Sequence, residues 1–90
     1  MAVAKYDFEA MFEQAGKVSK GATDLSALIK TIDGVVEEMA SAWSDRAQKK
    51  FEQQWTEMSA KLKEYVPVIE EYGKAVNSHA EKIRSAGEVI

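Results

Sequence analysis

Two apolar strings whose steps never leave three and four constrain this chain more than any other feature. The first runs Phe8, Met11, Ala15, Val18, Ala22, Leu25, Ile29, Ile32, Val36, Met39. The second runs Phe51, Trp55, Met58, Leu62, Tyr65, Ile69, Tyr72, Val76, His79, Ile83, Ala86, Ile90. Residues three and four apart share one face of an α-helix, whereas a half-buried strand needs a step of two. Sustained through each half of the chain, the pattern is an a/d heptad seam and predicts two long helices of a coiled coil or bundle. Five glycines and one proline supply too few turn signals for a multi-stranded fold.

The pattern breaks only between Met39 and Ala47, inside SAWSDRAQ. Asp45, with Gln48 three residues on, has the form of a capping box: a side-chain acceptor at a helix start and an amide that reaches back. The spacing therefore predicts helix 1 over about 5–40, a turn over about 41–45 and helix 2 over about 45–86, all within a single domain of 90 residues. So short a connection forces the helices antiparallel, giving an all-α hairpin. Gly16 and Gly21 each weaken helix 1 by about 1 kcal/mol relative to alanine. Pro67 removes one backbone bond from helix 2, but the seam keeps its register from Leu62 and Tyr65 to Ile69 and Tyr72, so a kinked, continuous helix is expected.

Each apolar face is wider than a two-per-heptad stripe. Phe12, Leu28 and Val35 flank the first seam, and Val66, Val68 and Ala80 flank the second. A lone hairpin buries one side of each helix and leaves the rest of a wide stripe wet, which predicts dimerisation into a four-helix bundle. The pairs Asp45–Lys49, Glu57–Lys61 and Glu70–Lys74 have the favourable order for a solvated helix face.

Composition excludes several classes of function. Twelve Lys and Arg against fifteen Asp and Glu give a net charge of −3, with no basic block to track a phosphate backbone. No cysteine is present, so neither a disulfide framework nor a thiol nucleophile is available. The opening MAVAKYDFEAMFEQ lacks the apolar core of a cleaved signal peptide, and no stretch is long and apolar enough to span a bilayer. His79, the single histidine, reads as a packing residue of the second seam. A di-iron bundle would need a Glu three residues before it, and that position is Val76. No nucleophile, acid–base pair, metal set or phosphate loop assembles, so neither catalysis nor a cofactor is expected.

The turn carries a resemblance. A helix of about forty residues, a Trp-x-small/polar turn and a second helix opening with Ala-x-x-x-Phe resemble the WXG family, the small Esx (ESAT-like) proteins of type VII secretion. The matching residues are Trp43, Ser44 and Asp45, then Ala47 and Phe51, Trp55 and Leu62. The likeness covers the chain in length, topology and motif position. The family's glycine is Asp45 here, an acceptable N-cap. The C-terminal Tyr-x-x-x-Asp/Glu export signal of many members is missing: Ile69 follows Tyr65 at that spacing, and Val76 follows Tyr72.

The resemblance implies a hairpin that pairs with itself or with a related small helical protein. It also implies export through a membrane-embedded ATPase, and Trp43 as a recognition residue with Ser44 and Asp45 shaping its turn. A targeting partner for a larger exported toxin is the neighbouring reading, and a cytosolic coiled-coil adaptor is the alternative from another class. Packing alone also accounts for Trp43, which follows Met39 by four residues and continues the first seam. The residues expected to form the hairpin or dimer seam are Phe8, Val18, Leu25, Ile29, Ile32, Phe51, Trp55, Met58, Leu62, Tyr65, Ile69 and Tyr72.

Overall fold

The computed structural model describes residues 6–89, and their side chains through Gly87. Lys5, where helix 1 was expected to begin, and Ile90, which ends the second apolar string, lie outside the described residues. Two helices account for the fold, α1 over Phe8–Ala42 and α2 over Arg46–Val89. They fold back on one another as a hairpin measuring 68 × 19 × 19 Å.

Local chemistry sets the ends of the helices. The Asp7 side chain accepts a hydrogen bond from the Ala10 N–H at 3.1 Å, capping α1. At the other end the Trp43 N–H still donates to the Met39 carbonyl at 3.0 Å, but its own backbone is extended, at φ −155° and ψ 146°. Asp45 caps α2 by accepting from the Gln48 N–H at 2.9 Å. The capping box is one-sided, because the Gln48 amide turns forward and donates to Glu52 at 3.0 Å. α2 runs unbroken across Pro67: the proline removes one ladder bond, while half-buried Leu62, Val66 and Ile69 hold both sides of it against α1.

In a two-helix molecule a side chain loses solvent chiefly to the opposite helix, so burial reports which face looks inward. On α1 the inward face is the first apolar string: Ala15, Ala22 and Ile29 are buried, and Phe8, Met11, Val18, Leu25, Ile32, Val36 and Met39 are half-buried. On α2 the second string splits. Trp55, Leu62, Ile69, Val76 and Ile83 look inward, whereas Phe51, Met58, Tyr65, Tyr72, His79 and Ala86 are exposed. Their places in the seam are taken by buried Ser59, Gly73 and Ala80 and half-buried Val66.

Close approach of the backbones explains the split. A Cβ on Gly73 would stand 2.5 Å from Ser19 Oγ and 3.3 Å from both the Ala15 carbonyl oxygen and the Ser19 nitrogen. With small residues meeting across the seam, the helices lie too near one another for a tyrosine or methionine to fit between them. The large residues of α2 are left on the flank.

Candidate functional site

The hairpin has two long sides of different chemistry. One carries shallow grooves, lined by Asp33, Ala40 and Thr56 near the turn, by Ser26, Lys63 and Pro67 at mid-length, and by Phe12, Ser19 and Asn77 toward the free ends. Side chains reach across this side. Trp55 Nε1 donates to Asp33 Oδ1 at 2.7 Å, and the Arg84 guanidinium lies 5.0 Å from the centre of the Phe12 ring. Polar and apolar side chains share this side, and these two contacts join its helices.

Both helices turn the same flank toward those grooves, so their opposite flanks share the other side. There the sequence places Gly21, Leu28, Val35 and Ala42 on α1 and Phe51, Met58, Tyr65 and Tyr72 on α2, each set at steps of seven. Val68 lies three residues from Tyr65 and four from Tyr72, so it adjoins both on the helix surface. The large members are open to solvent: Leu28 is 54% exposed, and exposure on α2 rises from 49% at Phe51 to 63% at Tyr72. In the antiparallel register set by Ser19 beside Gly73, Leu28 and Tyr65 stand at about the same height. Toward the free ends the stripe closes on two polar residues, Gln14 and His79. His79, expected to pack in the second seam, is exposed.

The surface total agrees with an unpartnered side. The chain exposes 7203 Å², roughly 2,000 Å² more than the about 5,200 Å² of a compact monomer of its mass. Its radius of gyration is 20.4 Å, against about 12 Å for a compact domain of this length.

At the tip, the Trp43 ring meets the Phe51 ring edge to face, with centroids 6.2 Å apart and planes at 72°. Trp43 remains 38% exposed, and Ser44 and Asp45 are exposed beside it. The ring is thus braced on one edge and open on the other. Among the described residues no non-glycine residue has a positive φ. The third turn position therefore imposes no left-handed backbone that only glycine would tolerate, and Asp45 occupies it without strain while capping α2.

Of the residues singled out from sequence, the structure joins Val18, Leu25, Ile29, Ile32, Trp55, Leu62 and Ile69 in the hairpin seam. It gathers Phe51, Met58, Tyr65 and Tyr72 on the open flank. Sequence reasoning missed the Asp33–Trp55 bond and the Ser19–Gly73 approach. Small residues at Ser59, Gly73 and Ala80, at steps of fourteen and seven on one helix face, were the available signal for the second. Among the described residues no group of three His, Asp or Glu side chains is placed to hold a metal ion. No helix there is long and apolar enough to cross a membrane.

A small-residue seam, an open apolar flank and an aromatic tip braced by Phe51 make this chain a two-helix hairpin of the small all-α class. This chain belongs to the WXG100 family, described as proteins of 100 residues with WXG, whose pattern it matches over residues 4–88. Members of the family are small helical proteins that form dimers and are secreted through type VII systems. Among solved structures, the chain is similar in fold to the secreted protein EsxB of Bacillus anthracis str. Sterne. The selenomethionine crystal structure of that protein matches with a TM-score of 0.81 and 22% identity, over 97% of this chain and 99% of the other. Its wild-type crystal form matches with a TM-score of 0.82 and 22% identity, over 94% and 99%. No curated relative matches the sequence.

Proposed function

We propose that this chain is a non-enzymatic helical protein of a type VII secretion system, exported by it or serving as a targeting partner within it. It acts by pairing through the Leu28–Val35–Met58–Tyr65–Tyr72 flank and by presenting the Trp43 turn. The observation that carries the reading is the pairing of an open apolar flank with a tip tryptophan held in place but not covered. A cytosolic coiled-coil adaptor accounts for the seam but gives no use to the exposed ring at Trp43.

Pairing covers the flank and leaves the tip free, because Trp43 lies at the end of the bundle. The turn is then available to a second protein, for which the export ATPase of a type VII system is the natural candidate. Export needs no cofactor from this chain, and its polypeptide supplies only shape and surface.

The test is export of Trp43→Ala, measured as the secreted fraction in culture supernatant, beside its melting temperature. We expect export to fall severalfold while stability falls by about 1 kcal/mol, the size of an aromatic pair contact. Loss of stability with unchanged export of the surviving fraction leaves Trp43 a packing role only. Secretion that persists when the ATPase gene is deleted overturns the assignment to the pathway.

A further inference from the structure

We infer that the Asp33–Gly34 peptide is a site of spontaneous backbone modification, isomerisation of Asp33 to isoaspartate, and that the Trp55 indole guards it. The inference is independent of the secretion reading, since it uses only the chemistry of one dipeptide and the bond across the grooved side. The chain contains no other Asp-Gly pair and no Asn-Gly pair. In such a pair the glycine nitrogen reaches the preceding side-chain carbon with no Cβ in the way.

The step balances without a cofactor or an oxidant. The Gly34 nitrogen bonds to Asp33 Cγ, its proton leaves with the carboxyl OH as water, and an imide ring closes. A water then opens the ring. Addition at Cγ restores aspartate. Addition at the backbone carbonyl carbon releases that carbon as a carboxylate and leaves the main chain running through Cγ, one atom longer.

Glycine at position 34 has no structural use within the hairpin. A Cβ there would meet nothing within 4 Å, no described glycine has a positive φ, and alanine makes the stronger helix. The reactive pair is instead protected by what surrounds Asp33. In α1 the Gly34 N–H is directed at the carbonyl of Lys30, four residues back. Asp33 is half-buried, and its Oδ1 is tied to α2 by Trp55 Nε1 at 2.7 Å. Attack requires the helix turn to open and the carboxyl to leave the indole, and the bond opposes the second movement. The added atom would fall between Ile32 and Val36, both half-buried in the seam. Val36 and Met39 would then lose their step to Ile29 and Ile32, and with it the hold on the Trp43 end.

Peptide mapping of the full chain after timed incubation at neutral pH tests the inference, with isoaspartate resolved by retention and the imide seen as the loss of one water. Asn77, followed by Ser78, deamidates through the same ring and is the internal reference, because its amide donates only within α2, to Glu81 at 3.2 Å. The folded chain should accumulate little isoaspartate at Asp33 and the urea-unfolded chain should accumulate it readily. Trp55→Phe should raise the rate at Asp33 about fivefold relative to Asn77, the factor by which loss of one such bond enlarges the open population. Gly34→Ala, which meets no neighbour, should suppress the product in folded and unfolded chain alike. Equal rises at Asp33 and Asn77 in Trp55→Phe would show that lost stability alone sets the rate and that the indole is no guard. Isoaspartate forming as fast in the folded chain as in the unfolded one would overturn the protection altogether.

Discussion

The two long sides of the hairpin are built from the same two helices and differ in where their side chains find partners. On the grooved side, partners lie within the chain: Asp33 with Trp55, Phe12 with Arg84. On the other, Leu28, Val35, Met58, Tyr65 and Tyr72 are exposed large apolar side chains. A side that completes its own contacts can face water, whereas a contiguous apolar stripe marks an interaction site. The difference teaches that the seam of a small hairpin does not use all the apolar residues its periodicity aligns.

The largest expected effect comes from charging the open side. Leu28→Lys with Tyr65→Lys should abolish the dimer at micromolar concentration. Much of the helicity should go with it, because a 90-residue hairpin with so thin a core has little stability of its own. Lys63→Glu, a charge reversal in the middle of the grooved side, should change neither mass nor melting beyond about 0.5 kcal/mol. Sedimentation and thermal circular dichroism on both variants decide the matter. Equal effects on the two sides would erase the distinction, and a larger effect at Lys63 would reverse it.

A smaller effect is expected at Gly73, where the seam decides which residues are left outside. Gly73→Ala sets two terms against each other: the helix gains about 1 kcal/mol, and the new methyl group displaces Ser19 Oγ. Gly73→Leu has no such balance. Its branched side chain has to part α2 from the Ala15 and Ser19 backbone, at a cost of about 1–3 kcal/mol. Chemical denaturation of the two variants checks this. A neutral Gly73→Leu would mean that the helices separate freely and that the large residues stand outside for another reason.

The seam and the flank were not equally legible in the sequence. The antiparallel hairpin, the capping role of Asp45 and the inward face of α1 follow from step counting, because on α1 the apolar string and the buried face coincide. On α2 they do not. Two overlapping strings share Trp55, Leu62, Ile69, Val76 and Ile83; one fills in with Met58, Tyr65 and Tyr72, the other with Ser59, Val66, Gly73 and Ala80. Hydrophobicity favours the first and backbone approach selects the second. Approach depends on what Ala15, Ser19 and Ala22 present from the other helix, which no window along α2 can reveal. The Asp33–Trp55 bond was hidden for the same reason, since its partners lie 22 residues apart on different helices.

The smallest effect tests that bond and, through it, the self-sufficiency of the grooved side. Trp55→Phe keeps the seam volume nearly intact but removes the N–H that Asp33 Oδ1 accepts at 2.7 Å. Asp33 is half-buried, so its carboxylate regains part of its hydration once the donor is gone. The cost should then fall near about 1 kcal/mol, below the range for a fully buried charged hydrogen bond. Asp33→Asn separates charge from geometry: its amide oxygen still accepts from Trp55, and the loss should be smaller than for Trp55→Phe. Dimer mass should be unchanged in both variants, because the bond faces away from the open flank. If Trp55→Phe instead weakens association while leaving the hairpin's own melting alone, the indole is serving a partner, and the grooved side is not complete in itself.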